Sequence, residues 1–149
     1  MNILPSPNIN IFWSQLIVEE LRRLGLECFC LAPGSRSGPL AVAVAEMPGI
    51  NRLVHFDERG LCFYALARAA ASKKPCAVIV TSGTAVANCF PAVIEAAKKK
   101  VPLILLTADR PPELRKTGAP QTVDQPGIFG DYVRFHFDLP CPTAEINPA

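Results

Sequence analysis

The sequence lacks a long apolar run, and this absence bears on where the protein works. Half of the 149 residues are apolar, yet no stretch reaches the roughly 18 uninterrupted apolar residues that a membrane span needs. The first ten residues carry proline and asparagine where a secretory signal would have basic residues followed by an apolar segment. We therefore expect a cytoplasmic protein of about one domain, without a membrane partner.

Metal-binding cysteine patterns and an excess of one charge are also missing. The six cysteines form no C-x-x-C pair, and His55 and His136 lie far apart, so the spacings typical of structural zinc sites are absent. Without an export signal, we expect free thiols. Fifteen basic and thirteen acidic side chains give a net charge of +2, which is too balanced to predict nucleic acid as a partner.

Two nucleotide-binding motifs are absent as well. The glycine-containing loop at residues 34–38 lacks the Gly-Lys-Ser/Thr ending of a phosphate loop, and no G-x-G-x-x-G occurs at a strand-to-helix turn. These two absences argue against the common modes of nucleotide binding.

What is present is a regular alternation of apolar runs and helical patterns. The apolar runs cover residues 28–32, 53–56, 76–80 and 103–106, with a weaker one at 132–137. Helical patterns cover residues 10–24, 39–46, 58–72 and 84–99. This alternation predicts an α/β fold in which a mostly parallel, twisted sheet has helices on both faces.

Individual residues predict the ends of the first helix, the close packing of the helix at 58–72 and a break in the helical stretch at 84–99. Asn8 or Asn10 can cap the first helix, and Gly25 can take the left-handed conformation that ends it. The alanine-rich helix at 58–72 can approach a neighbouring element closely. Pro91 removes a backbone donor within residues 84–99, which predicts a kink or break near Ala87.

Four polar loops follow the apolar runs, at residues 33–38, 57–60, 81–84 and 107–111. Because the carboxyl ends of parallel strands meet at one edge of a sheet, these loops should line a single site. Three of them contain an arginine suited to holding carboxylate or phosphate, which predicts a small anionic ligand. The arginines are Arg36, Arg59 and Arg110.

Simpler interpretations of the same residues remain open. The three arginines could pair on a solvated rim with Asp57, Asp109 or Glu113. Asp57 and Glu58 could serve only as an N-cap and a first-turn acid, because acids are common at helix starts. Ser82 and Thr84 could likewise be a loop end and a cap.

Taken together and in this order, the loops resemble those of the 2-succinyl-5-enolpyruvyl-6-hydroxy-3-cyclohexene-1-carboxylate (SEPHCHC) synthase family. The likeness covers residues 13–140. Its motifs are APGSRSGPL at 32–40, HFDERGL at 55–61, TSGTAVAN at 81–88, PAVIEA at 91–96, PLILLTADRPPELR at 102–115 and GAPQTVDQ at 118–125. Several motifs in a fixed order are far more specific than any one of them.

The resemblance implies a thiamine-diphosphate-dependent transferase of menaquinone or phylloquinone biosynthesis. Such an enzyme decarboxylates 2-oxoglutarate and adds the succinyl semialdehyde–thiamine carbanion to isochorismate. The family implies that Glu58 is the acid that hydrogen-bonds the aminopyrimidine ring and starts the reaction. Ser35, Arg36, Arg110 and Gln121 match substrate-binding positions, and Ser82, Gly83 and Thr84 match backbone near the cofactor. Arg59 matches the motif without an assigned role.

The resemblance also predicts the domain organisation. Residues 1–140 would form the pyrimidine-binding domain, and residues 141–149 would begin an interdomain linker. The ligands for the diphosphate and for Mg²⁺ or Mn²⁺ lie in a domain that this chain lacks, since Gly130-Asp131-Tyr132 misses the second glycine of the Gly-Asp-Gly motif. One sequence departure is Ala67-Arg68, where family members usually have Gly-Leu.

Three functional hypotheses follow. In the first, the chain belongs to a homo-oligomeric synthase and is inactive alone, because the pyrimidine domain of one subunit faces the diphosphate domain of another in this superfamily. In the second, it is a non-catalytic binding or assembly module of the same fold. In the third, it serves another thiamine-diphosphate-dependent 2-oxoacid lyase with a different acceptor, which the motifs at 35–40 and 107–115 argue against.

Overall fold

A computed structural model describes residues 6–144, so the predictions for residues 1–5 and 145–149 lie outside the described part. Its strands and helices alternate along the chain. In order they are α1 (Ile9–Arg23), β1 (Cys28–Leu31), α2 (Gly38–Glu46), β2 (Asn51–Val54), α3 (Glu58–Ser72), β3 (Cys76–Val80), α4 (Thr84–Asn88), α5 (Phe90–Lys99) and β4 (Leu103–Thr107). Two short 3₁₀ helices follow, η1 (Pro112–Leu114) and η2 (Gly130–Tyr132).

Within residues 6–144 the strands form one sheet in the order β2-β1-β3-β4, and all neighbouring strands are parallel. The two central strands are buried along their whole length, as expected for strands covered on both faces. The outer strands are less protected: β4 is half-buried and β2 is largely exposed. The predicted α/β class with a parallel sheet is therefore confirmed.

Alternate residues of the central strands enter two separate cores, because successive side chains of a strand point to opposite faces. On one face Phe29 packs with Val18 of α1 and Val44 of α2. On the other face Cys30 packs with residues of α3, α4 and α5. Helices thus cover both faces of the sheet, as the sequence pattern predicts.

The ends of α1 and the packing of α3 agree with the predictions from the sequence. The Asn8 side chain accepts a hydrogen bond from the Ile11 N–H at 3.1 Å, and Gly25 adopts a left-handed φ of +89° after the helix. Ala65 and Ala69 of α3 are buried against the sheet. Their small side chains let the α3 backbone lie close to the strands.

The helical stretch at 84–99 is broken, at a position slightly different from the prediction. The interruption falls at Cys89, between α4 and α5, rather than near Ala87. Pro91 lies in the first turn of α5, where a missing N–H costs no helical hydrogen bond. The proline therefore favours a new helix start just before itself.

Two strand predictions were wrong. The strand predicted at 53–56 has different bounds, and the strand predicted at 132–137 is not formed. The second strand ends at Val54, because the His55 ring accepts a hydrogen bond from the Asp57 N–H at 3.1 Å and turns the chain toward α3. No strand forms at 132–137 within the described residues. Phe129 and Tyr132 instead pack edge-on against Phe90 of α5, with ring centroids 5.6 and 5.8 Å apart.

The described cysteines are free thiols, as predicted. All are buried except Cys141. In the part of the chain from 6 to 144, no helix is both long and apolar enough to cross a membrane.

Candidate functional site

The loop after β1 lies directly against the end of β3, and a glycine allows this close approach. A Cβ atom built on Gly34 would lie 2.3 Å from the Cβ of Thr81, far inside van der Waals contact. Only a residue without a side chain fits there unless the backbone moves. Gly34 thus brings Ser35 and Arg36 close to the loop that follows β3.

Arg36 connects two loops through its guanidinium group. Its Nη1 donates to the Ser82 Oγ at 2.7 Å, and its Nη2 donates to the Pro120 carbonyl oxygen at 3.0 Å. The Ser82 hydroxyl in turn donates to the Gln121 carbonyl oxygen at 2.8 Å. These bonds fix the orientation of Arg36 from two sides.

Arg110, which follows β4, reaches the same acceptor. Its Nη2 donates to the Pro120 carbonyl oxygen at 3.0 Å, so the two guanidinium groups meet at one backbone oxygen. The Nε of Arg36 and the Nε of Arg110 are buried, and neither has a hydrogen-bond partner among residues 6–144. A buried donor without a partner is costly, and an anion placed between the two groups would satisfy it.

Asp109 does not neutralise the Arg110 side chain. Its carboxylate accepts a hydrogen bond from the Arg110 backbone N–H at 2.7 Å and forms an ion pair with Arg115 at 3.1 Å. Arg115 also donates to Asp138 at 2.6 Å, and this hydrogen bond lowers the pKa of the Asp138 carboxyl. The rim pairing of Arg110 with Asp109 or Glu113 is not formed by its guanidinium, which leaves that charge for a ligand.

The segment at 81–84 is held by Gln125, a buried glutamine for which the sequence pattern predicts no role. Gly83 has a φ of +78° and its N–H donates to the Gln125 Oε1 at 3.2 Å. The Gln125 Nε2 donates to the Ala108 carbonyl oxygen at 2.9 Å. Gln125 thereby joins the loops that follow β3 and β4. Its place at the end of the GAPQTVDQ motif was the only signal for it in the sequence.

Gly83 also lies tightly against the segment that contains Gln121. A Cβ atom at Gly83 would lie 2.8 Å from the Gln121 carbonyl oxygen, and Gln121 itself has a left-handed φ of +59°. The contact of Gln121 with Ser82 therefore uses its backbone, while its side chain is exposed. Thr84 is the exposed first residue of α4, with Gly83 rather than Thr84 in the N-cap position.

Glu58 lies at the start of α3 and contacts α4. The preceding residue, Asp57, is the N-cap and accepts a hydrogen bond from the Gly60 N–H at 2.8 Å, which lowers the pKa of the Asp57 carboxyl. Glu58 is therefore not needed as a cap. Its Oε2 accepts a hydrogen bond from the Asn88 Nδ2 at 3.2 Å. Asn88 is a second residue for which the sequence pattern predicts no role, although it ends the TSGTAVAN motif.

The predicted site residues fall into two groups in the structure. Ser35, Arg36 and Arg110 line an open groove of about 1610 Å³, and Ser82 and Gln121 are connected to Arg36 by hydrogen bonds. Glu58 forms the second group with Asn88, at the amino end of α3, and does not line this groove. Both groups lie at the carboxyl edge of the parallel sheet, and α4 lies between them, with Ser82 and Gly83 just before it and Asn88 as its last residue. Arg59 is exposed in the first turn of α3.

Known proteins resemble this chain along nearly its whole length. The family described as thiamine pyrophosphate enzyme, N-terminal TPP binding domain, matches residues 13–128. A 2-succinyl-5-enolpyruvyl-6-hydroxy-3-cyclohexene-1-carboxylate synthase of Rubrobacter xylanophilus is 58% identical over 144 residues, which is 97% of this chain and 25% of that protein. The proteins of the same name from Salinibacter ruber and Haloarcula marismortui are 55% and 54% identical over 99% and 94% of the chain, and the match covers 25% and 24% of their lengths.

The chain therefore spans about a quarter of the length of the curated relatives it matches. The resemblance to SEPHCHC synthases that the motifs indicate is confirmed, and the matched quarter corresponds to the cofactor-binding domain at the amino end. A parallel α/β sheet with loops at its carboxyl edge is consistent with that assignment. The chain belongs to the family of thiamine pyrophosphate enzyme N-terminal TPP binding domains.

Proposed function

We propose that this chain is the amino-terminal part of a SEPHCHC synthase, with residues 1–140 as the pyrimidine-binding domain and 141–149 as the beginning of a linker. The whole enzyme would decarboxylate 2-oxoglutarate and join the remaining four-carbon unit to isochorismate. The observation that carries the proposal is the convergence of Arg36 and Arg110 on one carbonyl oxygen, each with a buried Nε that has no partner among residues 6–144. Both substrates are dicarboxylates, and planar guanidinium groups bind carboxylates through paired hydrogen bonds.

The residues at the amino end of α3 fit the pyrimidine ring of thiamine diphosphate. Glu58 is partly buried, and Asn88 takes only one of its two carboxylate oxygens. The other oxygen can accept a hydrogen bond from a ring N–H, while Asn88 keeps the carboxylate from rotating. When bound, thiamine diphosphate supplies the electron sink for the loss of carbon dioxide. The task of Glu58 is to hold the proton on the ring nitrogen.

The two arginines would place the substrate carboxylates. Arg36 is held by Ser82 and Arg110 is held at Pro120, so both guanidinium groups are oriented before a ligand arrives. Groups that are already oriented lose less conformational entropy on binding. Ser35 lines the same groove, and the exposed Gln121 side chain lies beside Gly83, where each can add a hydrogen bond to a carboxylate or hydroxyl group.

The diphosphate and its Mg²⁺ or Mn²⁺ would be held outside this chain. Gly130 and Asp131 lie in the short helix η2, near α5, and Tyr132 stands where a Gly-Asp-Gly motif has its second glycine. We therefore expect the enzyme to be a homo-oligomer in which another domain completes the site, and this chain to be inactive alone. That the protein works in the cytoplasm remains a prediction from the sequence.

The decisive experiment is Glu58→Gln in the full-length enzyme. Removing an acid that assists proton transfer lowers the rate by about 100-fold or more, so turnover of 2-oxoglutarate with isochorismate should fall by at least this factor. Hydrogen–deuterium exchange at the reactive carbon of bound thiamine diphosphate should slow in parallel. Glu20→Gln, an exposed acid on α1, is the matched control and should leave both rates unchanged.

Two outcomes would contradict the proposal. Near-normal exchange in Glu58→Gln would reduce Glu58 to a first-turn acid of α3. Turnover by the isolated 149-residue chain would show that the chain itself contains the diphosphate site.

A further inference from the structure

A cluster of thiols lies on the face of the sheet opposite α1 and α2. Cys28 and Cys30 belong to β1 and Cys76 belongs to β3. The parallel register that pairs Phe29 with Ala77 places Cys28 beside Cys76, and Cys30 lies two residues further along the same face. The three sulfur atoms all lie within 4.8 Å of one another.

The spacing of these sulfur atoms suits a cation held by three thiolates. A metal ion about 2.3 Å from each of three sulfurs in one plane keeps the sulfurs about 4 Å apart. The Cys30 and Cys76 sulfurs are 3.6 Å apart, so small side-chain rotations would bring the cluster to this geometry. All three cysteines are buried in a rigid sheet, which orders them before binding.

The number and type of ligands select the metal. The cluster contains three sulfur atoms, and no histidine or carboxylate of the described residues joins it. Structural zinc needs four ligands, whereas soft thiolates favour copper(I). The cluster thus differs from a zinc site both in ligand number and in geometry.

A surface cavity reaches one member of the cluster, Cys28. A cavity of about 220 Å³ is lined by Cys28 together with Glu27, Arg68, Ser72, Lys74 and Pro75. Lys74 is paired with Glu27 at 2.6 Å, on the rim of this cavity. Arg68 lines the same cavity, so a positive charge lies beside the Cys28 thiol.

That positive charge matters because three thiolates and one monovalent cation leave a net negative charge in the protein interior. Burial raises the pKa of the Cys28 thiol to about 11, and the charge of Arg68 acts in the opposite direction. The pKa of Cys76 is also raised, first by its hydrogen bond with Cys30 and then by burial. The metal must therefore displace the thiol protons, which a soft cation does because its bond to thiolate sulfur is strong.

We propose that Cys28, Cys30 and Cys76 form a three-coordinate site for copper(I). On binding, three S–H bonds are replaced by three Cu–S bonds, the protons pass to the buffer, and copper keeps its +1 state. Arg68 offsets part of the negative charge and stabilises the bound form. The site is independent of the proposed synthase activity.

The test is a copper(I) titration of the chain under anaerobic conditions against a chromophoric competing chelator. All proteins carry Cys141→Ser, which removes the exposed thiol. We expect one equivalent of copper(I) to be retained, and Cys28→Ala to weaken its binding by at least 100-fold. The matched control is Cys62→Ala, a buried cysteine of the same core whose sulfur is outside the cluster, and it should bind as tightly as the parent.

Two further measurements keep the proposal testable if Cys28→Ala does not fold. X-ray absorption of the copper-loaded parent should give three sulfur neighbours at about 2.3 Å. Arg68→Leu, which changes an exposed side chain, should fold normally and bind copper(I) several-fold more weakly. A two-sulfur shell, equal loss in Cys62→Ala, or no retention of copper(I) by the parent would overturn the proposal.

Discussion

Arg36 and Arg110 donate to the same atom, the carbonyl oxygen of Pro120, each at 3.0 Å. They follow β1 and β4, which are not neighbours in the sheet, since β3 lies between them. The segment at 118–125 therefore carries an acceptor that brings together two cations from separate strands. Two positive charges held this close repel each other, and a bound dianion would relieve that repulsion.

Replacing these arginines in the full-length enzyme should weaken substrate binding more than it slows the chemical step. A hydrogen bond to a charged group contributes about 1.5–3 kcal/mol, so Arg36→Lys and Arg110→Lys should each raise KM for one dicarboxylate substrate by about 10- to 100-fold. Steady-state kinetics with each substrate varied in turn measures this. Arg23→Lys, on the exposed side of α1, is the control. Unchanged KM values for both substrates would remove the arginines from the binding site.

Asn88 should matter for catalysis because it holds the Glu58 carboxylate. We expect Asn88→Ala in the full-length enzyme to slow hydrogen–deuterium exchange of bound thiamine diphosphate by about 10-fold. This factor corresponds to the free energy of roughly one charge-assisted hydrogen bond. Asn88→Asp should slow it further, since a second carboxylate would repel the first. If the alanine variant exchanges as fast as the parent, Asn88 has no positioning role.

The close contact of Gly34 with Thr81 predicts a clear effect on stability. Gly34→Ala should lower the free energy of unfolding by about 1–3 kcal/mol, because the added methyl group overlaps the Thr81 side chain. Gly38→Ala is a matched control: it lies in the same loop region, nothing lies within 4 Å of its added Cβ, and it begins α2. It should be neutral or stabilising by up to about 1 kcal/mol. Urea unfolding of both variants measures the difference, and equal stabilities would contradict the steric argument.

Acid should weaken the interaction of Asp138 with Arg115 and so lower the stability of the fold. Its hydrogen bond with Arg115 lowers the pKa of the Asp138 carboxyl below the value of about 3.9 found in unfolded chains. The contribution to stability is therefore complete above about pH 4 and is lost as the pH falls through the folded pKa. Because Asp138 is about half exposed, we expect no more than about 1 kcal/mol.

Asp138→Asn tests this contribution. The variant should be less stable than the parent at pH 6, and the difference should shrink as the pH falls below 4, in urea unfolding at a series of pH values. A difference that stays constant with pH would show that the carboxylate charge of Asp138 has no part in it.

The sequence predicted most elements of the fold because its local patterns agree with the tertiary packing. The strand β3, for example, has five apolar residues between Pro75 and Thr81, and it lies in the centre of the sheet with all five buried. The prediction failed at residues 132–137, where aromatic side chains suggested a strand. Phe129 and Tyr132 pack instead on Phe90, and this long-range contact has no signal in the local pattern.

The candidate site was predicted only in part, for a similar reason. Side-chain types and motif order pointed to Glu58, Arg36 and Arg110, whose roles remain predictions. The Pro120 carbonyl could not be predicted, because a backbone acceptor leaves no trace in the residue type. The sequence placed Gln125 at the end of a motif, but its role is visible only in the folded chain, where its amide connects Gly83 with Ala108 across two loops.

Because Arg36 and Arg110 share the Pro120 carbonyl oxygen, one peptide group helps to position both side chains. If this peptide plane tilts, both guanidinium groups move with it, so an alteration at Ala119 or Pro120 should reposition the two arginines together. A change in this one turn would thus affect two charged side chains that come from different strands of the sheet.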